Sequence, residues 1–348
     1  MRRIAFQELD VKTLARRIAP AVILVVLAPI EAEFLLGDFT VRSLPLVLVL
    51  LPLYGCGALL IREVARRTNR GWPSILLLGA AYSLLEEGFL TQSLFNPNYL
   101  GQRLLDYGYV PALGTSLNWS VFVLSIHVLW SIATPILIAE GVASDRRALS
   151  WLKAPGLAIT GLLFVIGCVL TASFSLKSSA FVASRSQFIV VGLLVLVAIV
   201  GSFTIRSREG ADTHEATAVG SSAPRPIWVF LVTLALASAF MVAEPVARDR
   251  GLAPFLSVLT RLACEISAAT LIVWWSRMRT WGPRHYLAIS AGATLTYSLF
   301  GFVTLLRGHT NLGAPTDRTD IGGQIVLASI VFLLIWWGGQ RSRAALRA

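Results

Sequence analysis

Residues 72–92 read WPSILLLGAAYSLLEEGFLTQ, a largely apolar run that contains the adjacent acids Glu86 and Glu87. A run of about 20 mostly apolar residues has the length of a helix that crosses a bilayer. A carboxylate in the hydrocarbon core costs about 2.5–3.5 kcal/mol on insertion scales, and intramembrane acids usually serve a function. The stretch therefore predicts a membrane-spanning helix that carries a functional acid pair.

The same apolar pattern recurs along the whole chain. Hydrophobic residues make up 55% of the 348 residues and charged residues 14%, whereas a soluble domain has about 25% charged residues. A backbone that spans lipid must satisfy its own hydrogen bonds, and a long, continuous apolar run does so as a helix. We therefore predict an all-α, multi-pass integral membrane protein. The predicted spans are ten: residues 18–36, 43–61, 72–92, 119–142, 155–173, 187–204, 226–243, 252–276, 287–306 and 322–338.

The net charge of +11 follows the predicted topology and does not indicate a nucleic-acid-binding surface. With the N-terminus inside, 21 of the 30 Lys and Arg residues fall in inner segments and 8 in outer segments, while Arg261 lies within a span. This asymmetry is the one that the positive-inside rule describes. We predict that both termini are cytoplasmic, that the chain lies in the inner membrane of a prokaryotic cell, and that lipid, not nucleic acid, surrounds it.

A polar connection divides the predicted spans into two groups. Residues 206–225 are rich in Gly, Ala, Ser and Thr, a composition typical of a flexible linker. We predict a six-span part at residues 1–205 and a four-span part at residues 226–348. No connection is long enough for a separate soluble domain.

The longest predicted outer connection, residues 93–118, is called the cap. Asn96, Asn98 and Tyr99 belong to its mixture of turn-forming and aromatic residues, which favours ordered structure. Two interpretations remain open: a lid over an outward-facing cavity, or a surface loop that rests on lipid headgroups.

The predicted depth of a histidine in the membrane matches that of the acid pair. At 1.5 Å per residue, Glu86 and Glu87 lie roughly 9 Å below the outer end of their span, and His127 lies roughly 12 Å inside the next span. Consecutive spans are usually neighbours in space, so we predict one buried pocket. The set suits general base and acid catalysis toward water, binding of a divalent metal or proton transfer. The structural alternative is a clamp between helices.

Five further residues are candidates for a substrate or ion pathway. Ser131 follows His127 by four residues and extends a polar stripe on its helix. Glu31 and Glu33 lie near the outer end of the first span. Arg261 and Glu265 are four residues apart within the eighth span, a spacing that predicts an ion pair on one helix face. The chain has no nucleotide-binding motif, so its cofactor stays unknown, with a divalent metal at Glu86, Glu87 and His127 as the open option.

The pair and the histidine resemble the CAAX-protease and bacteriocin-processing superfamily of intramembrane proteases. The pattern of that superfamily is Glu-Glu followed by Arg, then a Phe-x-x-x-His helix, then a later helix with His and Asn. Glu86, Glu87 and His127 match it, whereas Thr91 stands in the Arg position, Val123 in the Phe position, and no later predicted span contains a histidine. The resemblance implies a hydrolase-like site in which Glu86 or Glu87 activates water and His127 polarises or binds.

A second resemblance covers about residues 80–145. The chain is similar to a group of uncharacterised multi-pass prokaryotic membrane proteins with Glu-Glu-Gly, Phe-x-Pro-Asn, Asn-Trp and a buried histidine. Here these are Glu-Glu-Gly at 86–88, Phe-Asn-Pro-Asn at 95–98, Asn-Trp at 118–119, and His127. This resemblance implies membership and no particular activity.

Two other functions remain open on the sequence. Ten spans fit a proton-coupled secondary transporter built from two inverted five-span halves. The spans at 72–92 and 252–276 would then correspond, and both carry intramembrane acids. A membrane scaffold without chemistry is the third interpretation.

The predicted topology has a direct test. Reporter fusions placed after Ser93 and after Arg206 should report outside and inside respectively, because Lys and Arg concentrate in the segments that stay inside. Activity of paired periplasmic and cytoplasmic reporters measures this. The same side for both fusions would refute the topology.

Overall fold

The computed structural model describes residues 11–205 and 221–345, with side chains at 18–205 and 221–343. The predicted linker therefore lies outside the described residues except for residues 221–225, and the division of the chain that it implies stays a prediction. The described residues form ten long helices: α1 Val11–Pro29, α2 Val41–Arg67, α3 Trp72–Leu85, α4 Leu117–Val142, α5 Ala154–Ser178, α6 Arg185–Thr204, α7 Pro226–Asp249, α8 Pro254–Trp275, α9 Pro283–Leu306 and α10 Arg318–Ala345.

The fold class predicted from the sequence is confirmed: the protein is an all-α, multi-pass membrane protein. Eight of the described helices, α2 and α4 to α10, are long and apolar enough to cross a bilayer. The remaining two, α1 and α3, coincide with the first and third predicted spans. Helix α3 has only 14 residues, and the acid pair lies in the π-helical turn Glu86–Leu90 that directly continues it. The count of ten spans and the side of the termini stay predictions.

Helix α4 forms the centre of the bundle. It packs against α1, α3, α8, α9 and α10, and 67% of its apolar stretch is buried inside the protein. By contrast, only 11% of α5 and of α8 is buried. The apolar faces of these two helices are therefore left for lipid, whereas polar side chains on α4 must find partners within the protein.

Helix α2 approaches α1 closely at a glycine, where the absence of a side chain leaves room for the α1 backbone. A Cβ atom on Gly55 would lie 2.3 Å from the carbonyl oxygen of Val25. Small residues at such crossings let helix backbones come together in membranes. The approach holds the neighbouring Tyr54, which is 5% exposed, inside the bundle.

The cap is an ordered element that is attached to other loops at the same end of the bundle. It contains a two-stranded antiparallel hairpin, β1 (Tyr109–Val110) and β2 (Thr115–Ser116). The Tyr107 hydroxyl donates a hydrogen bond to the carbonyl of Leu252 at 3.2 Å. The Gln102 amide donates to the carbonyl of Asn311 at 2.8 Å. We call this end of the bundle the cap end.

The opposite end carries a buried ion network, here called the opposite-end network, of Arg62, Glu63, Arg66 and Glu140. Glu140 accepts from the Nε of Arg62 at 3.1 Å and from Nε and Nη2 of Arg66 at 2.8 and 2.7 Å. Glu63 accepts from Arg62 at 2.7 Å and from the backbone of Trp151 at 2.8 Å. The Arg62 guanidinium also lies 3.5 Å from the Trp151 ring centre. The network joins α2 to α4.

Replacing Glu140 by Gln should destabilise the protein by about 3–5 kcal/mol, because the change removes the carboxylate that pairs with the buried guanidinium of Arg66 and one of the two that pair with Arg62. Unfolding of the purified protein in detergent, followed by circular dichroism, measures this. Asp145→Asn removes an exposed carboxylate five residues further along and should leave stability unchanged. Equal stability of the Glu140 variant and the wild type would show that the network does not hold α2 to α4.

Candidate functional site

The structure brings together Glu86, Glu87 and His127, which we call the trio. The Nε2 atom of His127 lies 3.3 Å from Oε2 of Glu86 and 3.4 Å from Oε1 of Glu87. All three residues are buried, at 7% exposure or less. No Lys or Arg side chain in the described part of the chain forms an ion pair with either glutamate. Two carboxylates and one imidazole therefore face one another inside the bundle.

The imidazole of His127 is fixed by its other nitrogen. Nδ1 lies 2.8 Å from the carbonyl oxygen of Val123. A carbonyl only accepts, so Nδ1 carries the hydrogen and Nε2 of the neutral ring presents a lone pair to the carboxylates. The Tyr54 ring stacks on the imidazole, with ring centres 6.1 Å apart and planes inclined by 22°. The ring orientation is thus set before any ligand arrives.

Glu87 is held in place from its far side. Its Oε2 accepts hydrogen bonds from the hydroxyls of Thr91, at 3.1 Å, and of Ser93. The indole of Trp119 in turn donates to Ser93 at 3.2 Å. Thr91 is the residue that stands where the pattern of the intramembrane proteases has Arg, and here it contributes a hydroxyl to Glu87. Oε1 of Glu87 is left to face His127.

Glu86 is the less constrained member of the trio. Its Oε2 is buried, and among the described residues it has no hydrogen-bond partner. The buried hydroxyl of Tyr82 lies beside Glu86 and likewise makes no hydrogen bond of normal geometry. Nine in ten buried polar groups are hydrogen-bonded, and the exceptions often mark catalytic sites or bound species. These two atoms identify the part of the site that is incomplete within the chain itself.

Wide helical turns place the site residues. The described residues contain four π-helical segments, and each carries a residue of this region: Ile30–Phe34, Leu51–Gly55, Glu86–Leu90 and His127–Ala133. Such segments are rare and occur frequently at functional sites. The sequence analysis missed them because an extra residue in a helical turn leaves no signal in apolar periodicity.

Glycine explains the third residue of the Glu-Glu-Gly motif. A Cβ atom on Gly88 would lie 2.6 Å from a methyl group of Val191 on α6. A side chain at this position would push α6 away from the π-helical turn that carries the acid pair. The motif thus combines two acids with a glycine that allows close helix packing, and this packing excludes water from the acids.

The first span contributes two acids with different surroundings. Glu31 is fully buried and accepts a hydrogen bond from the Thr294 hydroxyl at 2.6 Å, while its Oε2 has no partner. Glu33 is half-buried and lies beside Tyr54, with Glu86 and His127 nearby. We call Glu33, Glu86 and Glu87 the acid cluster. Tyr54 stacks on His127 and lies beside Glu33. No feature of the sequence distinguished it as a site residue.

The three cap residues have separate positions. Tyr99 is half-buried, and burial, with the nearby carboxylates of Glu87 and Glu33, raises the pKa of its phenol above the ordinary range. Asn96 is buried and donates to the Ser179 hydroxyl at 3.1 Å, whereas Asn98 is exposed. Of the three, Tyr99 is the one that lies near the acid cluster.

The remaining pathway candidates are not drawn into the trio. Ser131 is buried in the same π-helical turn as His127. The predicted ion pair of Arg261 with Glu265 is wrong: Arg261 pairs with Glu244 at 3.4 Å and donates to the side chain and carbonyl of Asn118 at 2.7 and 3.0 Å. A helical side chain leans toward the N-terminus of its helix, so Arg261 points to the cap end and away from Glu265. Glu265 lies beside Ser125.

Comparisons with known proteins give a family and no activity. No curated protein and no solved structure matches the chain. A family described as "Uncharacterized membrane protein family" matches residues 22–347 and so includes every residue of the site. On this match over nearly its whole length, the chain belongs to that uncharacterized membrane protein family.

Proposed function

We propose that the protein is a membrane-embedded hydrolase that activates water at the trio. The observation that carries the proposal is the pair of buried polar atoms that make no hydrogen bond of normal geometry, Oε2 of Glu86 and the hydroxyl of Tyr82, beside a pre-oriented imidazole. A structural clamp between helices would satisfy its own donors and acceptors. The resemblance to the CAAX-protease superfamily supports the same class of chemistry.

The proposed reaction is cleavage of a carboxylic ester or amide that resides in the membrane. A water molecule beside the trio loses a proton to the acid cluster, and its oxygen bonds to the substrate carbonyl carbon. The bond from that carbon to the leaving group then breaks, and the proton returns to the leaving group. Tyr82 supplies a hydroxyl donor for the oxygen that becomes negative in the transition state.

The position of the site supports a substrate from the cap half of the bilayer. The trio lies directly beneath the cap, since Ser93, its first residue, donates to Glu87. Low dielectric around the acids strengthens their interaction with developing charge. By comparison, the transporter interpretation needs a corresponding acid site on α8, and there Glu265 lies beside Ser125 as a single carboxylate.

Incorporation of oxygen from labelled water tests the proposal. Purified protein would be reconstituted with a lipid and membrane-peptide extract from cells that lack it, in ¹⁸O-water. Mass spectrometry should find new carboxyl products that carry ¹⁸O. Glu86→Gln should lower their rate of formation at least about 100-fold, because positioned acid–base groups contribute roughly that much.

The control is Asp145→Asn, an exposed acid at the opposite end, which should retain the full rate. Both variants should keep wild-type melting temperatures, since the Glu86 change removes no hydrogen bond of Oε2. Absence of ¹⁸O-labelled products, together with solute uptake driven by a pH gradient and lost in Glu86→Gln, would replace the hydrolase by the transporter. Full activity of the Glu86→Gln variant would show that the trio has a structural role and not a catalytic one.

A further inference from the structure

We propose that the trio binds one divalent first-row transition-metal ion of the zinc type. Glu86, Glu87 and His127 each offer one ligand atom, and these atoms all lie within 4.8 Å of one another. The inference deepens the proposed function and rests on it for the role of the ion. Binding itself is independent of any substrate.

The distances fit coordination better than an ion pair. Zinc bonds of about 2.0–2.1 Å in a tetrahedral arrangement place neighbouring ligand atoms about 3.4 Å apart. The Nε2 atom of His127 lies 3.3 Å from Glu86 and 3.4 Å from Glu87. A charge-assisted hydrogen bond between imidazolium and carboxylate would be shorter, at about 2.7–2.9 Å. The two distances from Nε2 thus match the edges of a tetrahedral ligand set, and the third lies within 4.8 Å.

The contacts behind the ligand atoms are those of a metal site. A histidine that binds a metal usually donates its other ring N–H to a carbonyl or carboxylate, which fixes the tautomer. His127 does this through Nδ1 to Val123 at 2.8 Å. Ligating carboxylates are likewise hydrogen-bonded from outside, as Glu87 is by Thr91 and Ser93. Each of these bonds leaves the atom that faces the centre free.

Charge supports a divalent cation. Two ionised carboxylates in a dry interior need compensation, because an isolated buried charge is very costly. A protonated His127 supplies one positive charge, and no Lys or Arg in the described part of the chain pairs with the two acids. One divalent ion with a neutral imidazole makes the centre neutral. The nitrogen ligand favours a zinc-type ion over Mg²⁺ or Ca²⁺, which prefer oxygen ligands.

Three protein ligands leave a fourth position for water, as in catalytic zinc sites. An ion of this type makes its bound water acidic enough to ionise near neutral pH. Glu33 is the member of the acid cluster that is not a ligand, and Glu86 and His127 are near it. With Glu86 and Glu87 bound to the ion, Glu33 would be the carboxylate left to accept the proton of that water.

Metal binding by the purified protein tests the proposal without a substrate. Tag-free protein in detergent, treated with a chelator and desalted, would be titrated with Zn²⁺ and Mg²⁺ by calorimetry and with Co²⁺ by visible absorption. We expect one Zn²⁺ per chain, much weaker binding of Mg²⁺, and a Co²⁺ spectrum of tetrahedral type. His127→Ala and Glu86→Gln should each weaken Zn²⁺ binding at least about 100-fold, and Ser93→Ala about 10-fold or more.

His309→Ala is the matched control, because His309 is an exposed loop histidine outside the trio, and it should bind Zn²⁺ as the wild type does. Melting temperature and size-exclusion profile show that each variant is folded. No stoichiometric uptake by the wild type, or equal uptake by His127→Ala, would overturn the proposal. Formation of ¹⁸O products that a chelator does not reduce would refute the metal proposal and support the hydrolase proposal. Zn²⁺ binding without ¹⁸O products would support the metal proposal and refute the hydrolase proposal.

Discussion

The cost of placing ionisable groups in a hydrocarbon interior governs this protein. Each buried charge must find a partner within the bundle, because lipid offers none. The opposite-end network meets this constraint completely, since both oxygens of Glu140 and of Glu63 accept hydrogen bonds. Arg261 meets it at the cap end through Glu244 and Asn118. The trio meets it only in part, since Oε2 of Glu86 has no hydrogen bond, and this contrast within one molecule is the reason that we propose a function for the trio.

Backbone geometry and side-chain chemistry coincide at the same place. The wide turns that carry Glu33, Tyr54, Glu86 and His127 all come from different helices. Such turns open the regular hydrogen-bond ladder and are sparsely used elsewhere in proteins. The bundle therefore departs from regular helix where its acids converge, and α4, the most enclosed of the eight long apolar helices, supplies the histidine to that point.

The sequence could predict what depends on composition and depth. Apolar runs gave the helices, and the matched depths of Glu86 and His127 anticipated their contact, because both follow from the rise of a helix across a bilayer. The sequence could not predict which residues far apart in the chain form ion pairs and hydrogen bonds with each other. Arg261 was assigned to Glu265 on its own helix, whereas Glu244 and Asn118, on α7 and at the end of the cap, bind it. The position of Tyr54 beside His127 depends on helix crossings that no local pattern encodes.

One chain of hydrogen bonds runs from the cap into the site. Trp119, at the point where the cap joins α4, donates to Ser93, and Ser93 donates to Glu87. The two ends of the cap are thereby linked to each other through the same hydroxyl that orients a carboxylate. A displacement of the cap cannot leave Glu87 unchanged, and a species that binds Glu87 is in turn felt at the protein surface. The cap and the Glu87 carboxylate are therefore coupled through one hydroxyl, so that a change in the position of either alters the hydrogen bonds of the other.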